Sequence, residues 1–204
     1  MKGLLIKDFY TLTKQLKIFL VIIVLFTFMQ GSSAYSFAIL YSAMLPITAL
    51  AYDERSKWDK LAAMMPYSTS TLVLGKYLLG YICVAAAAIL SIIIKVVLSL
   101  YTKKPFPIEI FVEMLPVVCF ASMLQAFNLP FMFKMGVEKG RLIFLAFIAI
   151  IVFGGTAFKD EAAQWLVSQQ ADFMSLAVVV LLLTMIINVI SIALSIRIYK
   201  HKEN

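Results

Sequence analysis

The sequence predicts an all-α, polytopic membrane protein of six transmembrane helices. Three observations carry that reading. Hydrophobic residues make up 63% of the chain and charged residues only 14%, against about 25% charged in a typical soluble domain. Apolar runs of about 20 residues, the length that crosses a bilayer as a helix, recur from end to end. They do not alternate with period two, as the ~10-residue strands of a membrane barrel do.

The chain opens with an interfacial helix over 2–17. In KGLLIKDFYTLTKQLKIF, Leu5, Phe9, Leu12 and Leu16 recur at intervals of four, three and four, so they share one helix face. Lys7, Thr11 and Lys14 point elsewhere, and such a helix either lies flat at the membrane surface or plainly extends the first span into the cytosol. No small-residue cleavage pattern follows, so the first apolar run is expected to stay as a span. Spans are expected at about 18–34, 36–52, 73–100, 110–133, 142–158 and 173–196. QGSSAYS forms the turn between the first two. After the fifth, Trp165 and Leu166 stand among Glu161, Gln164, Gln169 and Gln170. Trp favours the membrane boundary, which predicts a short external helix there, with an unstructured polar loop as the alternative. Loops are short and no linker or repeat intervenes, so residues 1–204 form one transmembrane domain.

Charge sets the orientation. With both termini cytoplasmic, Lys103, Lys104 and Lys159 fall outside, and Lys95 falls within the third span. All the other basic residues of the 18 fall inside, as the positive-inside rule requires. The net charge of +7 thus speaks for topology and not for nucleic acid.

The densest cluster of charge lies between the second and third spans. Over 53–66, Trp58, Leu61, Ala62 and Met65 follow the i, i+3, i+4, i+7 pattern of one helix face. Asp53, Lys57 and Lys60 fall on another. Asp53 is placed to cap the start, Pro66 ends the element, and Ser68, Thr69 and Ser70 offer a cap for the third span. A short cytosolic helix of this kind either rests on lipid headgroups or enters a groove on a partner, where Trp and Arg are typical anchors.

Catalytic chemistry is absent from the pattern. There is no G-x-x-x-x-G-K-[ST] phosphate loop and no H-E-x-x-H, and the lone histidine, His201, is in the tail. With two cysteines and one histidine, no metal-ligand spacing exists. Cys83 and Cys119 are expected as buried, unpaired thiols. The span interiors hold no acid, Glu113 standing near one end of the fourth, so no proton relay is visible. The chain is therefore not an enzyme, and any uphill movement draws its energy from a partner.

Polar residues within the spans are few. Thr184, Asn188, Ser191 and Ser195 recur at intervals of four, three and four on the sixth, a stripe that either packs helices together in lipid or faces a substrate. Ser122, Gln125 and Asn128 on the fourth precede Pro130 and either pack or line a cargo path. Lys95 either snorkels outward or faces a wet cavity, where it would meet an acidic group of a cargo.

The pattern Asp53-Glu54, Trp58, Met65-Pro66, Ser68, then Lys76 before a span resembles the membrane subunits of type-2 ABC exporters. The opening GLLIKDFYTLTKQLKIF, with its Lys-Asp before the first span, is similar to the start of that family. Its small size resembles the bacterial exporters of phenol-soluble modulins, which are amphipathic peptide toxins. The resemblance implies a coupling helix at about 53–66 that enters a cleft of a separate ATPase, with Glu54, Arg55, Trp58, Asp59, Leu61 and Met65 as contacts. It implies two ATPase copies, a second permease copy, and ATP and Mg bound by the ATPase, with no cofactor in this chain. It also implies amphipathic peptide cargo and a bacterial plasma membrane. The rival expectations are a permease that expels a bacteriocin or drug in self-protection, and a non-transporting scaffold that recruits a cytosolic partner.

Overall fold

A computed structural model describes residues 2–28, 34–62, 64–102, 109–157 and 173–203. Among the described residues the structure is helical and has no strand. Eight helices follow in order: α1 Lys2–Phe28, α2 Ala34–Ser42, α3 Leu45–Arg55, α4 Trp58–Ala62, α5 Thr69–Thr102, α6 Glu109–Met135, α7 Val137–Ala157 and α8 Phe173–Glu203. Among the described residues, four stretches are long and apolar enough to cross a membrane: Ser36–Arg55, Thr69–Tyr101, Met114–Met135 and Ala177–His201. The apolar part of α1, Gln15–Leu25, is shorter. The expected external helix, the QGSSAYS turn up to residue 33, and Lys103, Lys104 and Lys159 lie outside the described residues.

The expected interfacial helix and first span are one uninterrupted helix, α1. Nothing in QLKIFL breaks a helix: it has no Pro, no Gly and no capping signal. The face of α1 that packs against the protein is not the apolar face of Leu5, Phe9, Leu12 and Leu16 taken as a whole. Leu4, Asp8, Leu12, Phe19 and Ile23 are buried, while Phe9 is exposed. The face is rotated so that a carboxylate, Asp8, turns into the protein.

The second expected span is broken into α2 and α3 at Ala43–Met44. Pro46, at the start of α3, has no N–H for the preceding turn and its ring crowds that turn's carbonyl. A tighter bond from Met44 N–H to the Tyr41 carbonyl, 3.0 Å, closes the break.

α5 sits at the centre, packed against α1, α2, α3, α6 and α8. Leu79, Cys83, Val84 and Ala87 of α5 meet Leu12, Phe19 and Ile23 of α1 and Ala38 and Ile39 of α2 in the main core. Val73 and Tyr77 meet Leu129 and Phe133 of α6 and Tyr199 of α8 in a second. Cys83 and Cys119 are buried and free, as expected. Ser68 caps α5 as expected: its Oγ accepts the Thr71 N–H at 3.3 Å.

The single helix expected over 53–66 is two pieces. Asp53, Glu54 and Arg55 complete α3, and a turn at Ser56 and Lys57 precedes the short α4. Lys57 takes the left-handed conformation, φ 53°, at the position where helices commonly end on Gly. Asp53 is therefore no cap. It sits in the last turn of α3 because Ser56 N–H bonds back to the Tyr52 carbonyl and Lys57 N–H to the Glu54 carbonyl.

Candidate functional site

Four charged side chains from three helices meet in an alternating ring. Lys7 Nζ lies 3.0 Å from Asp8 Oδ1 and 2.5 Å from Asp53 Oδ1. Lys76 Nζ lies 2.8 Å from Asp8 Oδ2 and 2.6 Å from Asp53 Oδ2. Each cation touches both anions, so the ring sums to zero charge. The side chains of Asp8, Asp53 and Lys76 are 3%, 8% and 8% exposed, and that of Lys7 is 24% exposed. Leu4, Leu50, Leu72, Phe133 and Tyr199 wall it in, leaving a cavity of only about 20 Å³. There is no room for a ligand. What the ring does is tie α1, α3 and α5 together at one end of the bundle.

α4 joins the ring through Trp58, whose indole centroid lies 4.2 Å from Lys7 Nζ. A cation over a partly desolvated Trp face is attracted by about 0.5–2 kcal/mol. Ala62 of α4 is buried, but Leu61, Met64 and Met65 are 50%, 85% and 41% exposed. The expected apolar face is thus divided. Trp58 and Ala62 hold the element to its own chain, and Leu61, Met64 and Met65 project outward. Of the other expected partner contacts, Arg55 is exposed, and the side chain of Asp59 lies outside those described. Glu54 is engaged within the chain: its Oε2 accepts the Val137 N–H at 2.8 Å. The carboxylate caps the start of α7, where free N–H groups and the helix dipole favour an anion.

Beyond the ring, a neutral seam joins α5, α6 and α8. Pro130 gives no N–H to the Ala126 carbonyl, and Ser191 Oγ donates to it instead. That leaves Ser191 to accept from Tyr77 Oη at 2.6 Å, and Tyr77 to accept from Ser195 Oγ at 2.9 Å. The hydroxyl protons therefore run in one direction, from Ser195 to Ala126. One turn along α5, Tyr81 Oη donates to Asn188 Oδ1 at 2.6 Å. The stripe on α8 does pack helices.

The four residues expected on a cargo path are not brought together. Gln125 is buried and donates to the Tyr77 carbonyl at 2.9 Å, passing where Gly80 leaves room. Asn128 is buried, and Ser122 bonds to the Cys119 carbonyl of its own helix. Lys95 is partly buried, farther along α5. Gln125 meets α5 at Tyr77, and Lys95 lies some 18 residues on, about 27 Å at the helical rise.

Sequence periodicity missed the ring. It turned Lys7 away from the apolar face, placed Asp53 as a cap, and gave Asp8 and Lys76 no partner. A signal was present nonetheless: all four lie within the stretches that carry the family resemblance.

No curated protein and no solved structure matches the chain at a significant level. A family model described as "ABC-2 family transporter protein" matches residues 3–200, which include the ring, α4 and the seam. Its members are multi-pass membrane subunits that normally work with an ABC ATPase and are generally not catalytic themselves. The chain belongs to the ABC-2 transporter family as a membrane permease.

Proposed function

We propose that this permease is half of the membrane unit of an ATP-driven exporter of amphipathic peptides. Two copies pair, each with one ATPase subunit that binds ATP and Mg, and each copy contributes six spans. α1 and α7 supply the two beyond the four long apolar stretches, both termini are cytoplasmic, and the link between the fifth and sixth spans faces the outside of a bacterial plasma membrane. The Lys/Arg distribution supports this orientation, and the apolar, Phe- and Met-rich chain supports an amphipathic cargo. Lys95 is the group proposed to meet an acidic part of the cargo. Gln125 and Asn128 are assigned to packing, because both are buried.

The observation that carries the coupling role is the link from α4 to the ring. Trp58 stands on Lys7, and Lys7 pairs with Asp8 and Asp53. A displacement of α4 by an ATPase is thereby passed at once to α1, α3 and, through Lys76, α5. Leu61, Met64 and Met65 offer the ATPase an apolar surface, with Arg55 beside it. The test is co-purification of the ATPase with Trp58→Ala and with Leu61→Ala/Met65→Ala. The double variant is expected to weaken ATPase retention by roughly thirty-fold, the effect of losing about 2 kcal/mol of anchor contacts. Trp58→Ala is expected to retain more ATPase but to lose cargo-stimulated hydrolysis. Unchanged retention and unchanged coupling in both would refute the coupling role.

A further inference from the structure

Glu54 pins the first residue of α7 to the last turn of α3. Beyond that point the helices separate, and a side-opening cavity of about 270 Å³ lies between α7 and the α2–α3 break. Tyr41, Met44, Ile47 and Phe144 give it apolar walls. Thr48 lines it too, but its hydroxyl bonds back to the Met44 carbonyl at 3.4 Å. Arg141 is the cation of the lining, and among the described residues no carboxylate pairs with it. It stands one turn inside α7, about 6 Å from the helix start at 1.5 Å per residue. Leu145 of the lining is 61% exposed, and Leu142, three residues before it on α7, is 68% exposed.

We infer that this cleft binds one anionic phospholipid, with Arg141 on the phosphate and an acyl chain against Tyr41, Met44, Ile47 and Phe144. A guanidinium with no carboxylate partner among the described residues, at the rim of an apolar cleft, matches a ligand with an anionic head and an apolar tail. Basic pockets between membrane helices near one surface take anionic lipid heads in this way. The volume falls just below the range of whole drug-sized ligand sites, so the cleft takes part of a chain and leaves the rest in the bilayer. The apolar surface at the mouth selects a membrane lipid over a soluble anion. A lipid here would wedge α7 from α3 directly above the Glu54 cap.

The experiment uses the full chain in phosphatidylcholine nanodiscs doped with phosphatidylglycerol that carries a photoactivatable group on its acyl chain. Labelling is expected on Met44, Ile47 or Phe144 and is competed by excess phosphatidylglycerol. Arg141→Gln is expected to reduce it at least tenfold, as loss of a charge-assisted hydrogen bond implies, and Lys60→Gln to leave it unchanged. Ile47→Trp, which fills the cleft and keeps the cation, is also expected to abolish it. Equal labelling by a phosphatidylcholine probe, or full labelling of Arg141→Gln, would overturn the proposal. So would displacement of the label by an acidic amphipathic peptide but not by excess phosphatidylglycerol, which would make the cleft a cargo site. No ATPase is needed, so the outcome is independent of the transport reading.

Discussion

The ring and the seam solve the same problem with different chemistry. Each joins three helices through polar groups in a chain that is mostly apolar. The seam uses neutral hydroxyls and amides between α5, α6 and α8. Each of its groups is cheap to bury once it has a partner, and each bond contributes modestly. The ring uses four full charges among α1, α3 and α5. Desolvating them is costly, and only the complete alternation of sign offsets that cost. A seam can lose a member and remain a seam. A ring that loses one member becomes an uncompensated buried charge.

The largest effect is therefore expected from Asp8→Ala. It leaves Lys7 and Lys76 sharing Asp53 and should destabilise the protein by about 3–5 kcal/mol. Thermal unfolding in detergent measures it. Asp8→Leu combined with Lys76→Met removes one charge of each sign and should recover most of the loss. If the single and double variants unfold alike, the ring is not held together by its alternation.

Gly136→Ala tests the cap beside the ring. Gly136 has φ +81°, and a Cβ there would lie 2.9 Å from Glu54 Oε1. The left-handed conformation alone costs a non-glycine residue about 1–2 kcal/mol, and the carboxylate must also shift. A lower melting temperature is expected in Gly136→Ala. A substantially smaller loss is expected when Glu54→Gly removes the obstructing side chain in the background against which the substitution is compared.

Tyr77→Phe probes the seam and should do less. Ser191 still donates to the Ala126 carbonyl, and only the Tyr77 links to Ser191 and Ser195 are lost. Interhelical bonds of this kind in lipid average about 0.6 kcal/mol and reach about 1.7. An effect as large as that of Asp8→Ala would erase the contrast between the two regions. The smallest change is expected to have the opposite sign. Lys57→Gly relieves the left-handed backbone between α3 and α4 and should raise stability by up to about 1 kcal/mol. Its expected melting temperature is equal to or slightly above that of the natural chain.

These two regions were not equally legible. The α8 stripe showed itself because its members share one helix, and a period of 3.6 residues turns their spacing into a face. The ring draws Lys7 and Asp8 from α1, Asp53 from α3 and Lys76 from α5, and no periodicity links residues that far apart. The same reading placed Leu5 and Phe9 on the apolar, membrane-facing side of α1 and gave Asp8 no part in the packing. It also set Asp53 at the start of a helix, whereas the left-handed Lys57 divides that segment and leaves Asp53 at the end of α3. The break at Ala43–Met44 was written in Pro46 but passed over within an apolar run.

Composition and order by themselves determined the all-helical membrane class, the Ser68 cap and the packing stripe of α8. Each depends on residues near one another in sequence, where hydropathy, period and capping chemistry act locally. Tertiary structure alone decided which face of α1 turns inward, that Glu54 caps α7, that Ser191 serves the carbonyl freed by Pro130, and that four charges close into a ring. Those outcomes depend on which groups meet across helices. A buried charge is stable only with its partner in place, and a local pattern records the charge without recording the partner.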